Sequence, residues 1–562
     1  MKLKYSLICQ SVLGAVIFAA GVAQAQDQAA PSAPAAPAQG QGGGGRGQGA
    51  GAAAAAGGGA AARPAAPYQE SPTAYPNVGP NGCVGCPATA AAARGAGAAG
   101  GGGGGRGAAA AAAGAVQGAA GAPVAAQAAP RVVGPQGNNQ NPLPYDLLLQ
   151  GAHVIDARNN VDKVTDVGIK DGKIAAVGDN LNAKDAIKAM DLKGYVVTPG
   201  FIDLHMHVYA SPGERGSYAG DDSIWPDGFT FRAGVTTIVD AGSSGWRNFE
   251  DFKEHIIDRS QTRVLAMLNI VGAGMRGGRY EDNLADMNGE ATGWMAQRYP
   301  GVIVGVKSAH FTGPEWQPYI EAVKAGNMAN IPVMIDYGSN RIERPMAELV
   351  SKYLRPGDIY THTYSGLRQE QDTQTLKASA GLLGGRAHGV YFDAGTGGGS
   401  FRFRVAVPLI KNGFKPDSLS TDLHITSMNS STKDMLNVMS KFMAAGLTLQ
   451  EVVADATWHP AQEIKQTQLG NFSVGSVADV AVLSEHKGKF GYEDMDNMKM
   501  MGDTRLVCEL TIRNGRVIWD LNGISMDPWN QLQPSSPPNM ASHWTAYRPR
   551  TPLPEQLTPT QK

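Results

Sequence analysis

The sequence predicts an α/β protein. It combines a (β/α)8 TIM barrel with a small β-sandwich domain formed from both flanks, behind a disordered Ala/Gly-rich N-terminal segment. Three observations predict this. Between residues 196 and 465, eight apolar strand-like runs alternate with helical stretches. Hairpin-like runs of the same texture lie on both sides of that region. Glycine is also uneven: about 30 of the 73 glycines fall in the first 140 residues, so the chain joins two different materials.

The N-terminus reads as an export signal over residues 1–25. Lys2 and Lys4 make a short basic region, an apolar run follows from about Ser11 to Val22, and Ala23-Gln24-Ala25 is a small-x-small cleavage site. The run is short for a spanning helix, although an uncleaved anchor stays open as the alternative. The expectation is a periplasmic or secreted protein with no stable membrane insertion after signal cleavage. Residues 26–140 are mostly Ala, Gly, Pro and Gln. They lack the spaced large apolar residues that would offset the entropy of ordering, so this segment is expected to be disordered. The charge balance, 48 Lys+Arg against 49 Asp+Glu, argues against nucleic acid or an anionic membrane as the main partner. Cys9 leaves with the signal. Cys83 and Cys86 form an isolated CVGC without a strand-turn-helix setting, and Pro87 stands where a haem motif needs His, so a small local disulfide is expected.

Residues 141–195 and 466–525 are expected to form the small β-domain together. YDLLLQGAHVIDA reads as a strand, and VTDVGIKDGKIAAVG as two strands around an Asp171-Gly172 turn. GSVADVAVLSE and LVCELTIRNGRVIWDLNG repeat the pattern with Asn514-Gly515 as the turn. His153 and Cys508 read as structural residues of these strands. Residues 526–562, rich in Pro, read as an extended tail.

The barrel strands are YVVTPGFIDLH, TTIVDAG, RVLAMLNIVG, VIVGVKS, IPVMIDYG, DIYTHTYSG, VYFDAGTG and SLSTDLH. Several are nearly continuous apolar runs, as in parallel strands buried on both faces. Helical stretches such as NFEDFKEHIIDRS and TKDMLNVMSKFMAAG separate them. Eight such units in about 270 residues fit a barrel. Two doubly wound domains are the alternative, but no glycine-rich phosphate loop supports them.

Active sites of such barrels lie at the C-terminal strand ends. There the sequence places His205 and His207, which share a strand face by their spacing, and then Lys307, Asp336, His362 and Asp422. Convergent imidazoles and carboxylates suit zinc, manganese or iron(II). His310, His424 and Arg276 sit on loops beyond strand ends and are candidates for binding substrate, Arg276 through its planar fork. Trp246 and Tyr364 are candidate pocket residues. His459 is expected to open a helix.

TPGFIDLHMH resembles the opening motif of the amidohydrolase superfamily, near dihydroorotases and the urease α-subunit. AGVTTIVDAGSSGWRNF, GVKSAHF, DIYTHTYSG and LSTDLH extend the resemblance to its amidohydrolase/deacetylase metallohydrolase branch, over about residues 145 to 525. The resemblance implies two divalent metal ions. His205, His207 and Asp422 would hold the first. Lys307, carboxylated by carbon dioxide to the N6-carbamate, would bridge to the second, which His362 also binds. An ammonium cannot ligate a metal, whereas a carbamate offers two oxygens and a negative charge that nearby cations stabilise. Two positions depart from the branch. Asp336 stands where a His is usual, and it either ligates the second metal or hydrogen-bonds another ligand and leaves the second site weak or empty. Thr396 stands where relatives often have the His of a GHG, so if that His contacts substrate, the contact here is altered or lost. The implied activity is hydrolysis of an amide, cyclic amide or acyl bond of a small-molecule substrate by metal-activated hydroxide, with Asp422 carrying the proton. Two other readings remain: a catalytically degenerate barrel serving as a cell-envelope binding protein, and a low-complexity segment that itself binds polymer or RNA. Substrate identity and assembly into a homo-oligomer are left open.

Overall fold

The computed structural model describes residues 142–338 and 341–531. The predicted signal, the Ala/Gly-rich segment with Cys83 and Cys86, and the tail beyond residue 531 lie outside the described residues.

The chain opens with β1 (Tyr145–Asp156), β2 (Val161–Lys170), β3 (Lys173–Gly178), β4 (Ala186–Asp191) and β5 (Val196–Pro199). The β2–β3 turn is Asp171-Gly172, with φ of 49° and 74°, the left-handed pair that matches strand twist in a tight hairpin. The barrel strands follow: β6 (Phe201–Met206), β7 (Val235–Gly245), β8 (Arg263–Asn269), β9 (Ile303–Ser308), β10 (Val333–Ile335), β11 (Ile359–Tyr360) and β12 (Tyr391–Phe392). They form one sheet in chain order, every pairing parallel. The chain then returns through β13 (Val480–Glu493), β14 (Lys499–Arg513) and β15 (Arg516–Asp520).

β13–β15 join the first five strands in one eight-stranded sheet of order β15-β14-β13-β5-β1-β2-β3, with β4 also on β1. The two flanks therefore build one sheet, and Leu149, Val154, Val167, Val480 and Leu510 share its core. Its hydrogen-bonded path is continuous, forks at β1, and brings the Asp171-Gly172 and Asn514-Gly515 turns of its two arms together. The register of β1 shifts between Leu149 and Ala152, around Gly151 at φ 71°. The first half of β1 consequently pairs with β4 and the second half with β5.

The run Tyr195–His205, read from the sequence as one strand, is two. β5 pairs with β1 and β13, and β6 starts the barrel. Gly200 separates them, donating its N–H to Asp479 O, and a Cβ there would stand 2.4 Å from Thr236 Oγ1. The eighth barrel position, Ser418–Leu423, is not a regular strand, yet it bridges both edges of the parallel sheet. Asp393 pairs with Ser418, and Met206 with Leu423. The N–H of Ala394 donates to Ser418 O, and that of His207 to Leu423 O. This closes a ring of strands.

The predicted helical stretches hold, as Phe249–His255 and Met435–Ala445. The second starts on Asp434, whose carboxylate accepts from Asn437 N at 2.7 Å, a side-chain N-cap. His153 sits on β1 against Asp162, His459 lies in helix Trp458–Glu463, and Cys508 is buried in β14. Tyr364 does not line a pocket. It is buried between Phe401 and Phe442, and its hydroxyl donates to Phe414 O.

Candidate metal centre

β6 ends in the site. Burial of all six of its residues leaves polar groups only where partners wait for them. His205 Nδ1 lies 3.2 Å from Thr361 Oγ1, and that hydroxyl donates to Asp393 Oδ2 at 2.6 Å. Thr361 must therefore accept from His205 Nδ1–H, which leaves a bare lone pair on Nε2. His362 is locked the same way, because its Nδ1–H donates to Gly395 O at 2.6 Å. His207 Nδ1 rests against Ser243 Oγ at 3.1 Å.

The Nε2 atoms of all three imidazoles face carboxylates, and that of His205 also faces Lys307 Nζ. His205 Nε2 and His207 Nε2 stand 3.4 and 3.1 Å from Asp422 Oδ1, and His362 Nε2 stands 3.2 Å from Asp336 Oδ2. A lone pair aimed at an anion is repulsive unless a cation or proton lies between them. Ligands bound at about 2.0–2.1 Å in a tetrahedral zinc site lie roughly 3.3 Å apart, close to these separations. The donor atoms of His205, His362 and Asp422 fall within 4.8 Å of one another, and all three residues are buried. The donor set fits a divalent metal.

Electrostatics favour the ligating protonation states. Burial, reinforced by Lys307, pushes the His205 imidazole well below its ordinary pKa, and burial lowers that of His207. Lys307, at the end of β9, is fully buried, with Nζ 2.8 Å from His205 Nε2. Burial lowers its pKa against the pull of Asp336 and Asp422. Gly242, at φ 95°, makes room for it, since a Cβ there would stand 2.8 Å from Lys307 Cβ.

His205, His207, Lys307, Asp336, His362 and Asp422 thus come together as the sequence predicts. His310 reaches the site, but both its nitrogens are engaged, by Glu281 Oε2 at 2.7 Å and Asp336 Oδ2 at 3.0 Å. Burial alone would lower its pKa, yet the two carboxylates push it up to about 10. His424 binds Asp222 Oδ2 through Nδ1 at 2.7 Å, and its buried Nε2 has no hydrogen-bond partner among the described residues. Arg276 bonds Pro212 O and covers the Tyr280 ring at 4.7 Å, apart from the metal cluster. Thr396 is fully buried, with its hydroxyl toward Ser420 O, Thr421 O and Thr432 Oγ1, so the structure offers it to the eighth segment and not to a substrate. Trp246 is half-buried beneath the Arg247 guanidinium.

Sequence reasoning missed four contributors. Asp203 braces the eighth segment, accepting from Thr421 N and Oγ1 and from His205 N, and burial raises its pKa to about 7. Its spacing two residues before His205 was the available signal. Arg368 donates to Asp336 Oδ1 at 2.8 Å. Glu281 anchors His310, as above. Tyr218, on the loop after β6, stacks on His207 at 4.9 Å and touches His424 and His310 at 4.7 and 5.3 Å. No periodicity marks Arg368, Glu281 or Tyr218.

His310, His362 and Asp422 take left-handed φ of 55°, 64° and 50°, a backbone cost that the packing around them must sustain. Gly397 is at φ 46°, and a Cβ there would lie 2.4 Å from Asp422 Oδ2. Gly397→Ala should lower turnover about 100-fold through displacement of that carboxylate, with fold retained by circular dichroism. Turnover within twofold of wild type would show that Asp422 tolerates the crowding.

A ring of parallel strands with imidazoles and carboxylates at their C-terminal ends defines the class of barrel enzymes built around a metal centre. No model of a known protein family matches the chain. It is 33% identical over 336 residues to a deacetylase of Brucella anthropi, covering 57% of this chain and 79% of that one. It is 33% identical over 359 residues to a deacetylase of Agrobacterium fabrum, covering 61% and 84%. A crystal structure of an adenine deaminase superposes with TM-score 0.60 at 25% identity, over 67% of this chain and 100% of that one. The chain belongs to the amidohydrolase superfamily and is an amidohydrolase/deacetylase enzyme, a hydrolase of amide or acyl bonds.

Proposed function

We propose that the protein is an exported hydrolase that removes an acyl group from a small molecule, or opens a cyclic amide, using a centre of two divalent metals. The observation that carries this is the pair of tautomer-locked imidazoles, His205 and His362, whose lone pairs face Asp422 and Asp336. The names of the two deacetylase relatives favour an acyl bond, of ester or N-acyl type, over a ring amide.

His205, His207 and Asp422 would hold the first metal. His362, Asp336 and Lys307, the last as its carbamate, would hold the second. Zinc suits the donors best, and manganese or iron(II) also fit. Bound metal supplies Lewis acidity and water made acidic near neutral pH. The chain's own residues do the rest. Asp422 takes a proton from water and returns it to the leaving nitrogen or oxygen. Thr361 and Asp393 keep His205 in one tautomer, and Gly395 O does so for His362. Tyr218 covers the cluster from the loop after β6. Export to the periplasm or medium rests on the signal-like residues 1–25.

A degenerate binding barrel has no chemical need for this donor set, held in ligating tautomers. The direct test is elemental analysis of protein purified without chelators, together with a screen of N-acyl amino acids, acetyl esters, hydantoins and dipeptides. We expect bound zinc, manganese or iron, and hydrolysis of an acyl substrate that a chelator stops. Metal-free protein with full activity would refute the proposal.

A further inference from the structure

The two halves of the centre are electrostatically unequal. Asp422 has only imidazoles as ion-pair partners among the described residues, His205 and His207 on Oδ1. Asp336 stands differently. Its Oδ1 accepts from Arg368 Nη2 at 2.8 Å, and its Oδ2 is shared by His310 Nε2 at 3.0 Å and His362 Nε2 at 3.2 Å. Neither competitor is loose. Arg368 is 5% exposed, and its Nε donates to Tyr337 O at 2.9 Å. His310 is tethered at its other nitrogen by Glu281, itself buried.

Asp336 can therefore offer a cation one oxygen, and His310 already lies against it. The guanidinium on the other oxygen draws electron density from the carboxylate. It also places a fixed positive charge beside any second dication, in a site where little water screens it. Breaking the Asp336–Arg368 pair to free both oxygens would strand a buried charge.

We propose that Arg368, with His310 as its partner across Asp336, makes the second metal position markedly weaker than the first, so that the protein holds one tight and one exchangeable metal. The inference rests on the metal-centre reading above and deepens it by naming the residue that ranks the two positions. Partners outside the ligand set commonly change metal affinity by roughly 10–100-fold, and the gap expected here is of that order.

The test is equilibrium dialysis of the full-length protein against buffered zinc with bicarbonate present, reading zinc equivalents by elemental analysis. Wild type should fill one equivalent first, and the second only at about 10–100-fold higher free zinc. Arg368→Met keeps the aliphatic bulk and removes the charge, and should narrow that gap by at least about tenfold. Arg368→Lys should keep a gap close to that of wild type. Should Arg368→Met not fold, Glu281→Gln, which loosens His310 from the far side, should narrow the gap in the same direction. Two equivalents of equal affinity in wild type would overturn the inequality and leave the metal centre standing. A folded Arg368→Met or Glu281→Gln variant with an unchanged gap would overturn the assignment of that inequality to Arg368 and His310. Wild type that binds no zinc would overturn the metal centre itself.

Discussion

Asp422→Asn should leave a folded protein whose turnover falls by about 10²–10⁴-fold, the range that proton transfer by a positioned side chain contributes. The substitution keeps volume and shape. It removes the negative charge and the capacity to accept a proton. Asp422 is buried, takes a left-handed φ of 50°, and points one oxygen at His205 and His207. Its backbone carbonyl accepts from Ser427 Oγ at 2.7 Å, and the adjacent Thr421 is braced by Asp203. Those supports do not depend on the Asp422 carboxylate, so the backbone of the eighth segment should survive the change. The measurement is kcat on a confirmed acyl substrate, paired with metal content and a thermal melt. A loss of rate with metal retained assigns the loss to the proton. A loss of rate with metal lost assigns it to ligation. An Asn variant that turns over normally would remove Asp422 from the mechanism.

The candidate ligands were legible in the sequence because strand periodicity governs them. His205 and His207 sit two apart at the end of β6, and Lys307 sits near the end of β9. In each, an apolar run stops at a polar residue, so position along the strand implies position in the barrel. Tyr364, read as a pocket residue, and Thr396, read through the resemblance as a position of substrate contact, are both buried away from the cluster. Tyr364 lies two residues after His362, which on a strand would share its face. His362 has φ 64°, however, so alternation ends there and the ring turns into the core. Thr396 lies between Gly395 and Gly397, both at φ 46°, and its hydroxyl is turned to the eighth segment. The division of β5 from β6 was equally hidden, because a buried parallel run looks the same whichever sheet it serves. Arg368 and Tyr218 stand on loops and Glu281 on a single helical turn, where contacts depend on the path of the backbone and leave no periodic trace.

Lys307→Ala should abolish most turnover, by about 10²-fold or more, and should release the second metal. Millimolar acetate or propionate should restore part of both. The lysine ends β9 with its side chain fully buried, Nζ 2.8 Å from His205 Nε2 and Gly242 packed against its stem. As an ammonium it would add positive charge to a cluster meant to hold cations. As a carbamate it would add the negative charge and two oxygens that such cations need. Truncation to Ala removes the stem and leaves space where a small carboxylate can place its oxygens near the missing pair. Losses of 10–100-fold are typical when groups supporting a metal are removed, and a lost bridge should exceed them. The rescue separates the two roles of the lysine. If Lys307 acts only as an ammonium that donates to His205, added carboxylic acids will do nothing, and a small primary amine will restore activity instead. If it acts as the carbamate, carboxylic acids will rescue the variant and amines will not. Wild-type protein stripped of metal and carbon dioxide should then need both zinc and bicarbonate to recover its rate. Recovery with zinc alone in carbonate-free buffer would rule the carbamate out.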